Sequence, residues 1–179
     1  MRKIDPDDLT RRQTPLARLP RLPLYLILEN IRSLWNVGSM FRTADGAGIA
    51  KIFLCGYTAK PPRPEITKTA LGAEASVPWE AVHDPAKAVK LLQREGIPVF
   101  VLEQTDSSRS LWEVPVPLPL GLVVGNEVEG VSAHVVSLAD GAIEIPLFGV
   151  KESLNVAVAC GIALFEIVRH TPRRPPPSV

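Results

Sequence analysis

Cysteine and histidine are scarce. The two cysteines, Cys55 and Cys160, sit in apolar contexts and make no ligand spacing with the three scattered histidines, His83, His134 and His170. That pattern argues against a disulfide framework and against a bound metal, and for a reducing, cytosolic setting. No apolar run is long enough to cross a bilayer, and no stretch reads as a signal peptide. There is no internal repeat and no P-loop sequence. An excess of one charge is missing as well. Twenty Lys and Arg against 19 Asp and Glu leave +1, which neither demands nor excludes a nucleic-acid partner. With 179 residues, the chain is expected to form one α/β domain with a sizeable core and no second full domain.

What is present is organised around Ile143 to Arg169, reading IEIPLFGVKESLNVAVACGIALFEIVR. A short β-rich run stops at Pro146 and crosses a loop holding Gly149, Lys151 and Glu152. It then enters a helix with Ser153 as the expected N-cap. From Leu154 to Phe165 the only polar side chain is Asn155. A helix apolar all round is buried on all sides. One side can pack on the chain's own sheet. The other calls for a second subunit, and Ala157, Ala159, Gly161 and Ala163 permit its close approach.

Elsewhere, apolar runs alternate with helical stretches. Leu24 to Leu28 (LYLIL) suits a strand buried on both faces. A helix from about Asn36 to Asp45 and a strand from Lys51 to Cys55 complete a βαβ unit. Gly46 and Gly48 imitate a dinucleotide fingerprint, but the third glycine is absent and the run precedes a strand; a helix C-cap fits better. Ile66 to Ala75 reads as a short helix. Asp84-Pro85 starts another, running to Glu95, and Val99 to Leu102 and Gly121 to Val124 read as strands. Ser132 caps a short helix to about Leu138; Gly130-Val131-Ser132-Ala133-His134 is not a nucleophile elbow, because its fifth position is His. The expected fold is α/β, a mostly parallel sheet covered by helices on both faces. Residues 1–23, which lack hydrophobic periodicity, are expected to be a basic, poorly ordered leader. Its Arg11, Arg12 and Arg18 belong either to a solvated segment or to an arm that binds RNA phosphate. Residues 24–170 form the domain, and the Pro-rich 171–179 a disordered tail.

Three polar segments emerge from the ends of apolar strands, where open α/β sheets place ligand sites. They are Asn30, Arg32, Asn36 and Arg42; Gly125-Asn126-Glu127; and Lys151 to Asn155. Singly, each has a bland reading: Arg42 a surface arginine with a packed stem, Asn36 an N-cap, Glu127 a solvated or ion-paired loop carboxylate, Ser153 and Asn155 capping residues.

Together they form a pattern. NIRSLWNVGSMFRTADGAG (Asn30 to Gly48), LVVGNEVEGVS (Leu122 to Ser132) and IEIPLFGVKESLNVAVA (Ile143 to Ala159) stand in the order of the three motifs of a known family. The chain, from about Leu24 to Arg169, resembles the SpoU-type (TrmH-like) ribose 2′-O-methyltransferases of the SPOUT class. The resemblance implies a C-terminal deep trefoil knot, which base rates for folds strongly disfavour. It also implies a homodimer with active sites at or near the subunit interface. The implied cofactor is S-adenosylmethionine, in a pocket of Leu102, Gly125, Ile145, Ser153 and Leu154. Gly125 is expected to lack a side chain so that the backbone can approach the ligand. Implied substrates are tRNA or ribosomal RNA, between which the sequence does not choose, since nothing in it reads as an added RNA-binding domain; Arg32 joins the leader arginines as an RNA contact.

The resemblance makes Arg42 the key catalytic group, with Asn36, Glu127, Ser153 and Asn155 orienting it and the ribose. In that family the arginine is often described as the base. A guanidinium is a poor proton acceptor, so alkoxide stabilisation and a phosphate clamp suit Arg42 better, and Glu127 is a conceivable acceptor. The competing readings are a non-catalytic RNA- or cofactor-binding knotted protein and a nucleotide-binding enzyme of the flavodoxin or dehydrogenase type.

Overall fold

The computed structural model describes residues 3–17, 20–113 and 116–171, with backbone only for 12–17. The LYLIL run forms most of β1 (Leu22–Glu29), in which every side chain from Leu24 to Leu28 except Tyr25 is buried. A strand can be apolar on both faces only if both are covered. Leu24, Leu26 and Leu28 point into one hydrophobic cluster, and Ile27 points into another on the opposite face. The other strands are β2 (Ile49–Cys55), β3 (Trp79–Val82), β4 (Val99–Leu102), β5 (Arg109–Ser110), β6 (Leu120–Val124) and β7 (Gly141–Glu144). They join β1 in one seven-stranded sheet, ordered β3-β2-β1-β6-β4-β7-β5, with every pairing parallel.

Four helices contribute to the first cluster: α2 (Leu34–Ala47), α3 (Pro64–Ala70), α4 (Ala73–Ser76) and α7 (Val156–Arg169). The second is built with α5 (Pro85–Arg94) and α6 (Ala133–Leu138). The α/β sheet with helices on both faces is therefore as expected. Asp84 caps α5 through Ala86 N–H at 3.0 Å, and Ser132 caps α6. Gly48, at φ 67°, closes α2 as a left-handed C-cap.

Several local expectations need correction. Helix α2 begins earlier than Asn36: Ser33 is its cap and accepts from Asn36 N–H at 3.3 Å, which frees the Asn36 carboxamide for other partners. The cap of α7 is Asn155, not Ser153. Its Oδ1 takes both Ala157 N–H (2.9 Å) and Val158 N–H (3.3 Å), leaving 153–154 outside the helix. The expected helix from Ile66 to Ala75 splits into α3 and α4, because Leu71 (φ 52°) and Gly72 (φ 92°) turn left-handed. Strands β3 and β5 were not expected; they are the short edge strands, where a patterning signal is weakest. Within residues 1–23 lies α1 (Pro6–Ala17), started by Asp5, which accepts from Asp7 N–H, and by Pro6 in the first turn. The tail beyond Thr171 lies outside the described residues.

The position of β7 shapes the site. Leu102 at the end of β4 and Arg109 at the start of β5 both pair with Ile143, from opposite sides of β7. The 103–108 connection therefore crosses β7. The chain leaving β7 at Glu144 runs beside that crossing, where Glu144 accepts from the Ser108 hydroxyl at 2.6 Å.

Candidate active site

The three polar segments meet at the C-terminal ends of β1, β6 and β7, and Glu127 is their hub. Its Oε2 accepts Arg32 N–H at 2.8 Å, and its Oε1 accepts Ser33 N–H and the Asn36 side chain, each at 2.9 Å. A carboxylate is well placed here, because the start of α2 presents N–H groups with no intrahelical partner and the positive end of the helix dipole. Partial burial pushes the Glu127 carboxyl up. The hydrogen bonds from Arg32, Ser33 and Asn36 together outweigh that and hold it below its ordinary value. A carboxylate so engaged is a poor proton acceptor. Asn36 extends the network, accepting from Asn155 Nδ2 at 3.3 Å. Residues far apart in the chain thus form one relay, Glu127–Asn36–Asn155.

Beside it, Asn126 builds the loop that carries Glu127. Its Oδ1 accepts Val128 and Glu129 N–H, and its backbone bridges Gly130 in both directions. Its Nδ2 donates to Asn30 O and to Tyr57 Oη, each at 2.8 Å. Gly125 is required by this loop: an added Cβ would fall on the Gly130 carbonyl and the Val131 nitrogen. The turn folds back directly over the end of β6, and only a residue without a side chain leaves it room.

A cavity of about 290 Å³ opens beside the loop. Leu102, Gly125, Ile145, Ser153 and Leu154 all line it, so the structure brings the whole expected cofactor set together. Glu103, Glu127, Glu129 and Glu144 line it too, and no Lys, Arg or His does. An acid-rich wall among apolar side chains suits a ligand with a cationic centre and an apolar body. Among the described residues no group of three or more His, Cys, Asp or Glu is placed to hold a metal ion.

Helix α7 runs alongside α2 in the same direction. Asn155 meets Asn36, Gly161 faces Thr43, and Phe165 lies at Gly46. This contact buries Cys160, Ala163, Leu164 and Ile167, but Val158 and Phe165 remain 52% exposed and Trp35 46%. Arg42 is exposed, and nothing among the described residues ties it to the relay. It lies about 9 Å further along α2 than Asn36, at 1.5 Å per residue, and about 120° round it. Of the other arginines, Arg32 is exposed and contributes its backbone N–H to Glu127. Arg11 is exposed on α1, 3.5 Å from Asp8. The Arg12 side chain and all of Arg18 lie outside the described residues.

Comparison with known proteins decides the family. The model of the SpoU rRNA Methylase family matches residues 23–165. The chain belongs to that family. Among relatives of this SpoU protein, the 23S rRNA (guanosine-2′-O-)-methyltransferase RlmB of Vibrio parahaemolyticus is 35% identical over 148 residues, covering 83% of this chain and 60% of the relative. The chain thus spans about 60% of the length of the RlmB relatives it matches. The crystal structure of the A. aeolicus TrmH/SpoU tRNA modifying enzyme superposes with a TM-score of 0.78 at 29% identity, covering 91% of this chain and 82% of that one. The AdoMet-bound rRNA methyltransferase of Sinorhizobium meliloti gives 0.77 at 29% identity, covering 89% and 62%.

Sequence reasoning missed several supports of the SpoU site. Glu103 accepts Val131 N–H at 2.9 Å and Gln104 N–H at 2.9 Å, and Glu29, buried, accepts Ser132 N–H. Glu29 carried a signal, as a carboxylate ending an apolar strand. Tyr57 carried none, because its link to Asn126 joins residues distant in sequence.

Proposed function

We propose that this SpoU protein is an S-adenosylmethionine-dependent RNA methyltransferase acting on a ribose 2′-hydroxyl of tRNA or ribosomal RNA. The observation that carries the reading is the Glu127–Asn36–Asn155 relay at the rim of a cavity lined by Leu102, Gly125, Ile145, Ser153 and Leu154. The acid-rich wall fits the sulfonium of S-adenosylmethionine, which when bound supplies an activated methyl group. Leu102, Ile145 and Leu154 offer apolar surface to the rest of the cofactor, and Ser153 a hydroxyl at the rim.

The protein then has to align the ribose and stabilise negative charge on its oxygen. Glu127 is a positioning residue in this reading, since its oxygens are engaged and its carboxyl is held acidic. It fixes the start of α2 and Asn36, and Asn36 fixes Asn155. Arg42, planar and cationic, stabilises the developing alkoxide and clamps a neighbouring phosphate, while the proton leaves to water.

Arg42 lies outside the relay of its own chain, and in this reading a second copy completes the site. The exposed Trp35, Val158 and Phe165 of α2 and α7 supply the surface for such a homodimer. The knot belongs to this reading as well, formed where the chain after β7 passes the 103–108 crossing. A cytosolic setting accords with two free, buried thiols, which burial pushes up to about 12.

The test is methyl transfer from labelled cofactor to RNA lacking the modification, followed by nucleoside analysis. Label on a ribose oxygen is expected, and label on a base, or none, would overturn the reading. Arg42→Lys should lose at least about 100-fold in rate, because a point charge replaces a two-pronged clamp. Its cofactor affinity should stay near wild type. Full activity in that variant would place the chemistry elsewhere.

A further inference from the structure

A second cavity, about 560 Å³, opens at the C-terminal ends of β2 and β3. Its wall is the 56–63 loop together with the end of β3 and His83. In contrast to the first cavity, its lining contains Lys60, Arg63 and His83 and no acidic residue. All three side chains are exposed, and the Tyr57 ring beside them is 61% exposed. The loop is fastened to the active-site strand: Tyr57 N–H donates to Asn30 Oδ1 at 3.2 Å, and the Thr58 hydroxyl accepts Ile31 N–H and donates to Leu28 O, each at 2.9 Å. Tyr57 belongs to both cavities' surroundings, because its hydroxyl takes the hydrogen bond from Asn126, which lines the first.

We propose that this second cavity holds an unpaired nucleotide of the RNA substrate, neighbouring the nucleotide that is methylated. The Tyr57 ring stacks on its base, and Lys60 and Arg63 take the phosphates on either side. The inference rests on the RNA methyltransferase reading above. Cationic lining repels a sulfonium and attracts phosphate, so the two cavities divide cofactor from RNA by charge. An exposed aromatic face requires an exposed base face, which single-stranded RNA offers and a duplex hides. The Asn126–Tyr57 hydrogen bond keeps the stacking ring in register with the loop that holds Glu127, so binding here also places the reacting ribose. Stacking discriminates weakly between bases, so the cavity selects for unpaired RNA more than for sequence.

The experiment uses the full chain, a fluorescein-labelled single-stranded RNA oligonucleotide of mixed sequence, and the same sequence in a duplex. Anisotropy gives RNA affinity over a range of salt, and calorimetry gives S-adenosylmethionine affinity. The Lys60→Ala/Arg63→Ala variant should bind single-stranded RNA at least about tenfold more weakly, with the salt slope reduced by about 1.4 for two lost phosphate contacts. Tyr57→Ala should lose about tenfold, while Tyr57→Phe, which keeps the ring and loses only the hydrogen bond from Asn126, should lose clearly less. Cofactor affinity should be unchanged throughout. Wild-type RNA affinity and salt slope in the double variant, with wild-type protein binding both RNA and cofactor, would overturn this inference alone. A wild-type protein that binds neither would remove the methyltransferase reading and this proposal with it.

Discussion

Replacing Glu127 by Gln tests the hub of the site and can be worked through from its hydrogen bonds. The carboxylate accepts three, from Arg32 N–H, Ser33 N–H and the Asn36 side chain. A glutamine amide has the same shape but only one oxygen. If that oxygen keeps Ser33 and Asn36, the amide nitrogen faces Arg32 N–H, donor against donor. One charge-assisted bond is lost and the others weaken to neutral ones, which costs about 1–2 kcal/mol at this half-open position. For a chain of this size that is a fall of about 2–8 °C in Tm near neutral pH. The sign of the pH dependence follows from the lowered carboxyl. A carboxylate whose folded-state pKa is depressed contributes stability above its unfolded value, about 4.3, and loses it as pH falls through the folded value. The gap in Tm between wild type and Glu127→Gln should therefore be full at pH 7 and narrow below about pH 4. Thermal melts followed by circular dichroism at a series of pH values make the measurement. A gap that is absent at neutral pH, or equally wide in acid, would refute the hydrogen-bonding account of Glu127.

Two further outcomes are expected. Gly125→Ala should lose at least about 2 kcal/mol, because the methyl meets the immobile backbone of Gly130 and Val131. Gly149→Ala, where an added Cβ meets nothing within 4 Å, is the control that should melt like wild type; equal behaviour of the two variants would refute the packing argument. Phe165→Glu puts a charge on the open apolar surface of α7 and should convert a dimer to monomers in light scattering. A dimer that survives the change would place the interface elsewhere.

Much of the fold could be read from the chain, for identifiable reasons. LYLIL marks a strand buried on both faces because four of its five residues are aliphatic, and Asp84-Pro85, Ser132 and Gly48 mark helix ends through their own local chemistry. The edge strands β3 and β5 gave no such signal, since an edge position asks little of its side chains. At the starts of α2 and α7 the caps fell on Ser33 and Asn155. Adjacent polar residues compete there, and only the helix register decides between them.

The sequence by itself determined the family, through three motifs in order, and with it the residues that gather around the first cavity. Tertiary structure alone decided what those residues do to one another. That Glu127 is tied by three donors, that Asn36 passes the constraint on to Asn155, and that Gly125 makes room for a turn all depend on segments distant in the chain. The same holds for Tyr57, whose hydroxyl joins the acidic cavity to the basic one. Motifs specify which side chains are available. Hydrogen bonds and close packing are set by atomic positions, and those exist only once the sheet has brought the ends of β1, β6 and β7 together.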